Sequence, residues 1–218
     1  MAEAPVPITA TRLPRMIDRS QSRSWKTGSG LGRVWVMSTD IAPSDVIAFW
    51  KEAGADKWFA KDAAFDADFR ERFGQAHFAA ARREFDGWMQ SAEGALALMI
   101  LLDQFPRNVF RGTGHAFATD PLALSLARQA LAAGFDQRTE MALRRFFYLP
   151  FQHSEAMADQ DRALALFQAL DRPANDRWAE HHHGVIARFG RFPHRNRALG
   201  RETTLEEQAF LDQDGFTG

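Results

Sequence analysis

Leu98-Met99-Ile100-Leu101-Leu102-Asp103-Gln104-Phe105-Pro106-Arg107-Asn108 is the most apolar run of the chain, and it ends abruptly in polar and helix-breaking residues. On a helical wheel its large side chains fall on every side, as in a helix with no solvent face. Asp103 and Gln104 share a side with Leu96 and Ile100, so they are expected to point into protein. A buried carboxylate must be paired or protonated. Arg107, four residues on, is one candidate partner, and an arginine folded back from elsewhere is the other. Pro106 lacks an N–H and restricts the residue before it, which predicts a helix stop there.

The pattern returns near the end of the chain. Phe105-Pro106-Arg107-Asn108 is echoed by Phe192-Pro193-His194-Arg195-Asn196, with one inserted histidine. Each reads as a helix stop, with Phe as anchor, Pro as breaker, and Arg and Asn bonding loop backbone. Two readings stand side by side: polar groups that only fix loops, or two halves of one polar pocket.

Composition bounds the rest. With 218 residues, 45% of them hydrophobic, the chain can bury a substantial core. It has no cysteine, which removes disulfides, thiolate catalysis and Cys-ligated zinc, and suits a reducing, cytoplasmic setting. The net charge of -1 gives no overall basic footprint for nucleic acid. No apolar run approaches the length of a membrane span. Residues 1–36 differ from the rest: Arg12, Arg15, Arg19, Arg23, Lys26 and Arg33 against Glu3 and Asp18 give +4, leaving -5 for the remainder. That segment holds three prolines and no sustained helical periodicity. Residues 1–40 are therefore expected to form a disordered leader, with Met37 as the natural start, and 41–218 a single domain.

Helical signals fill that domain. Ser44 reads as an N-cap for a helix closed by Gly54. Asp62 to Phe73 carries Phe65, Phe69 and Phe73 at four-residue spacing, and Gly74 is expected to separate it from a helix over Gln75 to Phe85. Ser91 caps the central helix. Asp120-Pro121 is a helix start with a capping side chain and Pro at the first position. Glu140 to Tyr148 is a further helix, closed by Pro150. His153 or Ser154 opens the next, running to about Leu170, and Asn175 opens one stopped by Gly190. Thr204-Leu205-Glu206-Glu207 is a capping box. No alternating segment bounded by hairpin turns appears. The fold expected is all-α, with about eight to ten helices and short connections.

Several polar residues fall on apolar faces. His182 lies amid Trp178, Val185, Ile186 and Phe189, with His181 at the edge and His183 pointing away. Gln160 lies amid Met157, Leu164 and Phe167, with His153 at the N-terminal end of the same helix. An unmatched buried polar group costs about 1–3 kcal/mol, so Asp103, Gln104, His153, Gln160 and His182 need partners. Arg107, Asn108, Arg191, His194, Arg195 and Asn196, from the two echoing breaks, are candidates. They form a buried network that fixes helix register, the lining of a functional pocket, or separately satisfied residues.

A pocket of these groups suits a small anion such as phosphate or carboxylate. Arg107, Arg191 and Arg195 would hold it, joined by Asn108, Gln160 and Asn196. His153, His182 or His194 would move a proton, with Asp103 as orienter. Placed at a helix N-terminus, His153 would add the help of the dipole. The same histidines with Asp103 are the natural metal candidates, but no HExxH or comparable spacing supports one, so neither metal nor cofactor is expected. Ser154 beside His153 is no triad signal, and no Gly-rich phosphate loop lies between a strand and a helix.

Four motifs carry a resemblance. They are Leu101-Leu102-Asp103-Gln104-Phe105-Pro106-Arg107-Asn108, then Phe117-Ala118-Thr119-Asp120-Pro121-Leu122-Ala123-Leu124, then Leu149-Pro150-Phe151-Gln152-His153-Ser154-Glu155, and finally Phe189-Gly190-Arg191-Phe192-Pro193-His194-Arg195-Asn196. In this order, over about residues 44 to 212, the chain resembles the bacterial domain-of-unknown-function family 924. Gln152 stands where the pattern is expected to carry Glu. The resemblance implies helical hairpins in a tetratricopeptide-like array and no established activity. Two functions follow as expectations. One is a polar pocket for a small anionic ligand. The other is an interaction scaffold for a protein or peptide, with a purely structural network. Whether the protein is an enzyme, and its oligomeric state, are left open by the residues.

Overall fold

Helix starts follow local chemistry. In the computed structural model, which describes residues 41–170 and 173–214, Asp62 accepts the N–H groups of Ala64 at 2.9 Å and Phe65 at 3.1 Å. This caps α3 (Ala63–Ala81). Ser91 does the same for α4 (Ala92–Met99), accepting from Gly94 at 3.0 Å. A Cβ on Gly94 would lie 2.1 Å from the Trp88 carbonyl oxygen, so only glycine lets α4 begin against the preceding 3-10 turn Asp86–Gln90. Thr204 and Glu207 cap α10 (Leu205–Asp214) reciprocally, at 2.8 and 3.2 Å. The first helix departs from expectation. α1 (Pro43–Ala53) starts one residue before Ser44, because Pro43 suits the first turn and Asp45 reaches back to the Ala42 N–H at 2.8 Å.

The remaining helices are α2 (Ala55–Trp58), α5 (Phe105–Val109), α6 (Asp120–Ala132), α7 (Met141–Gln152), α8 (Met157–Gln168) and α9 (Pro173–Phe189). Among the described residues there is no strand. A π turn, Ile100–Gln104, joins α4 to α5 in one continuous run, which makes nine helices among the described residues. The leader and the start at Met37 lie outside the described residues.

Three expected breaks are absent. α3 passes through Gly74, since one glycine costs a helix only about 1 kcal/mol and Phe69, Phe73, Ala76 and Ala80 are buried on both sides of it. α7 passes through Pro150, carried by Phe147, Leu149 and Phe151, all buried. The central run passes through Pro106. In each case tertiary packing outweighs the local breaker.

Phe49, Trp50, Phe65, Phe69 and Phe73 form an aromatic core with Trp58 and Phe146, at ring separations of 5.0–6.1 Å. α1 packs on α4, α3 on α5, and α4 on α6 and α7. Later in the chain each helix packs on the next, α6 on α7, α7 on α8 and α8 on α9. A smaller cluster of Val185, Ile186, Phe192 and Phe210 closes the C-terminal end. Trp178 stays half-exposed, its ring beside Arg177 and His181, although its spacing placed it with this face. No helix among the described residues is long and apolar enough to cross a membrane.

Candidate functional site

The π turn creates the site. The Phe105 N–H bonds to the Ile100 carbonyl five residues back, and Pro106 then has no N–H to offer the next acceptor. Two carbonyls are thereby released from the helix ladder, those of Leu101 and Leu102. Both are buried, so each needs another donor. His77 Nδ1–H from α3 donates to Leu101 at 2.8 Å, and the Thr119 hydroxyl donates to Leu102 at 2.5 Å. A third carbonyl, of Asp103, accepts from Arg107 Nη1 at 2.9 Å. The helix therefore survives its proline because two side chains, His77 and Thr119, replace the missing backbone donors.

That geometry aims Asp103 inward at the end of α7. His153 Nδ1 lies 2.8 Å from Asp103 Oδ1, and Gln104 donates to Oδ2 at 2.6 Å. Arg107 Nη1 is 3.1 Å from Oδ1. Arg107 also grips Asp120, at the start of α6, with a bidentate pair at 2.8 and 2.9 Å. Arg195 Nη1 donates to the same Asp120 at 3.2 Å. Asp103, Gln104, Arg107, Asp120, His153 and Arg195 thus form one continuous network. Its His153–Arg107 edge reaches solvent: those side chains keep 12% and 17% exposure, against 1% for Asp103.

Charge states follow from this arrangement. Burial pushes the Asp103 carboxyl up, but Arg107, with the contacts from His153 and Gln104, outweighs it and holds the group below its ordinary value. Burial and then Arg107 push His153 down, against the pull of Asp103. His153 is accordingly neutral, and because Nδ1 donates to a carboxylate, the lone pair sits on Nε2. Burial, and then His153, push His182 down to about 3. The His182 Nδ1–H donates to the Trp178 carbonyl at 2.8 Å, and its ring centroid is 6.3 Å from that of His153. His194 is likewise pushed down to about 3, by burial and by Arg195. Arg195 itself is lowered to about 10 by burial and Arg107, and remains charged at neutral pH. Its guanidinium lies between two rings, 4.6 Å from Phe117 and 4.5 Å from Phe192. Arg195 Nε is buried and has no hydrogen-bond partner among the described residues.

The other candidates have different partners. Arg191 pairs with Glu207 at 2.6 and 2.8 Å, and Asn196 Nδ2 approaches the same carboxylate at 3.3 Å. Gln160 donates to the backbone carbonyls of Gln152 and Ser154 and holds the α7–α8 turn. Asn108 is buried, with its Nδ2 unpartnered among the described residues. His153 occupies the C-terminal end of α7, its N–H bonded to Leu149, and α8 starts only at Met157. The dipole expected to assist an anion at His153 is therefore of the opposite sign there.

Asp120 is the residue that sequence reasoning placed differently. An Asp before Pro reads as an N-cap, yet here it is the first helical residue and its carboxylate serves Arg107 and Arg195. Phe192 was legible only as an anchor, and Thr119 and Phe117 only as members of a motif. No local signal ties them to Asp103, because all of these contacts cross between elements. Among the described residues no group of three or more His, Cys, Asp or Glu side chains is placed to hold a metal ion.

Comparison with known proteins agrees with the motifs. A solved structure described as a protein of unknown function, ATU0120 from Agrobacterium tumefaciens, is 57% identical and superposes with a TM-score of 0.77, over 78% of this chain and 97% of that one. No curated protein matches. The family model described as bacterial protein of unknown function (DUF924) matches residues 46–215. That span contains every residue of the Asp103 network, and the chain belongs to this family.

Proposed function

We propose that the protein binds a small anionic molecule at the Asp103–His153–Arg195 network and exchanges a proton with it through His153. One observation carries this reading: Asp103 fixes the Nδ1–H tautomer of His153, and the same network holds a buried arginine, Arg195, whose Nε has no hydrogen-bond partner among the described residues. Asp103 orients the imidazole, Nε2 accepts or returns the proton, and Arg195 attracts the anion. Arg107, whose donors are taken up by Asp103 and Asp120, is the clasp that holds the two carboxylates. Arg191 and Asn196 brace the C-terminal helix through Glu207 rather than meeting the ligand.

Thermal-shift measurements on the full chain against carboxylates and phosphorylated compounds test the proposal. A ligand at about 100 times its dissociation constant stabilises by roughly 2.7 kcal/mol. At about 2–4 °C per kcal/mol that is a shift of about 5–10 °C. The shift is expected to vanish in Arg195→Gln with the fold intact. No shift with any anion would sink the proposal. The second reading is a tetratricopeptide-like scaffold with a structural network, supported by the consecutive packing of α6 to α9. On that reading the same variants lose stability alone, and a peptide or protein, not an anion, is the partner.

A further inference from the structure

Charge bookkeeping narrows the ligand, on the basis of the anion site just proposed. Arg107 and Arg195 are matched by Asp103 and Asp120, and the buried histidines are neutral, so the network sums to zero. An anion entering such a largely buried, balanced cluster leaves one unmatched charge for each negative charge it brings, which is unfavourable away from water. A proton taken up at the same time removes that cost. The groups facing His153 decide where the proton goes. They are Asp103 from the π turn, Arg107 from α5, Asp120 from α6, His182 from α9 and His194 from the turn Pro193–Arg195, with Arg195 of the same turn joined to them through Asp120. Nearby Glu155 and Asp159 are already paired, with Arg201 and Arg128.

His153 is seated directly on a carboxylate. Asp103 lies 2.8 Å from it, so an imidazolium there is stabilised as soon as a counter-charge meets its other face. His182 gives its Nδ1–H to a neutral carbonyl, and His194 lies by the rings of Phe117 and Phe192 next to the Arg195 guanidinium. The network can thus take up one proton, and it can balance one negative charge. Arg195 adds a shape criterion. Its guanidinium carbon lies 4.6 and 4.5 Å from the centroids of two rings and Nη1 is directed to Asp120, while the buried Nε, without a partner among the described residues, is the donor a planar acceptor would satisfy.

We infer that the occupant is a monocarboxylate, bound through the Nε edge of Arg195 together with one proton that His153 Nε2 takes from solvent. A doubly charged phosphate or sulfate group is rejected, because its second charge has no counterpart.

Isothermal titration calorimetry on the full chain, with benzoate and lactate as monocarboxylates and sulfate as a dianion of fixed charge, tests this. In two buffers of different ionisation heat near about pH 7, benzoate or lactate binding is expected to take up about one proton. Affinity is expected to weaken about tenfold per pH unit above neutrality, the slope of a single linked proton. His153→Gln is expected to bind more weakly and without pH dependence, which a merely structural role would not produce. Arg195→Gln is expected not to bind at any pH. Monocarboxylate binding without proton uptake, or sulfate binding as tightly, would overturn the inference and leave the anion site standing. Failure of every anion to bind would overturn both.

Discussion

Asp103 is the residue on which the site turns. Its lone position at the end of an apolar run already marks it as buried, and Arg107 is legible as its partner from the four-residue spacing. His153, fifty residues on, is legible only as a polar residue on an apolar face. Removing the charge while keeping the shape separates these contacts. Asp103→Asn leaves Arg107 with one carboxylate and His153 without its fixed acceptor. Breaking a buried pair in this way costs about 3–5 kcal/mol, so denaturant unfolding is expected to show a loss of that order. An unchanged midpoint would mean that Asp120 alone holds Arg107. The tautomer is also expected to be lost, since the amide presents no charge to fix Nδ1–H.

The π turn is the element that makes these contacts possible. The sequence predicts a stop at Pro106, and the physics behind that prediction is sound: the carbonyls of Leu101 and Leu102 do lose their backbone donors. What one sequence does not display is that His77 and Thr119 arrive from other elements to replace them. A double-mutant cycle tests this substitution. Thr119→Val leaves a buried carbonyl unsatisfied and is expected to cost about 1–3 kcal/mol. In a Pro106→Ala background the restored N–H competes for the same carbonyls, so the cost of Thr119→Val is expected to shrink. Strict additivity would show that Thr119 supports the loop before α6 and not the turn. The start of the same run offers a simpler test. Gly94→Ala places a methyl group 2.1 Å from the Trp88 oxygen, so either the 3-10 turn or α4 must move and stability falls. A wild-type melting temperature would contradict the close approach.

For the molecule as a whole, helix content and the apolar core were legible, because period and composition report burial directly. The helix ends at Gly54 and Gly190 were legible too: the two glycines have φ of 74° and 67°, a region other residues avoid. The ends that failed included those at prolines and at Gly74, where packing across elements overrode a local preference, and the start expected at His153 or Ser154, which falls at Met157. The site was legible as a set of inward polar residues but not as a grouping, so Arg191 and Asn196 stood beside Arg195 in the sequence while in space they share Glu207. The buried histidines also set how the fold responds to acid. His182 and His194 are lowered from 6.5 to about 3, so the unfolded chain takes up protons first. Their stabilising contribution is complete above about pH 6.5 and is lost as pH falls toward 3. Each adds a slope of about 1.4 kcal/mol per pH unit in that window. Asp103 and Glu207, lowered by their arginines, extend the loss below the ordinary carboxylate range. Unfolding midpoints measured from neutral to acid pH are expected to fall steadily from about pH 6.5, and His182→Gln to flatten the upper part of the curve. A flat profile down to about pH 4.5 would contradict neutral, buried histidines.

The most direct single measurement is nitrogen-15 NMR of the imidazoles in the full chain, wild type and Arg195→Gln, titrated with benzoate. In the free wild type, His153 is expected as the neutral ring with its proton on Nδ1, and on benzoate binding Nε2 is expected to take up a proton from solvent. In Arg195→Gln the tautomer is expected to persist and benzoate to leave it unchanged. A proton on Nε2 in the free protein, or a wild-type His153 indifferent to benzoate and every other anion, would contradict an acid–base anion site at Asp103, His153 and Arg195.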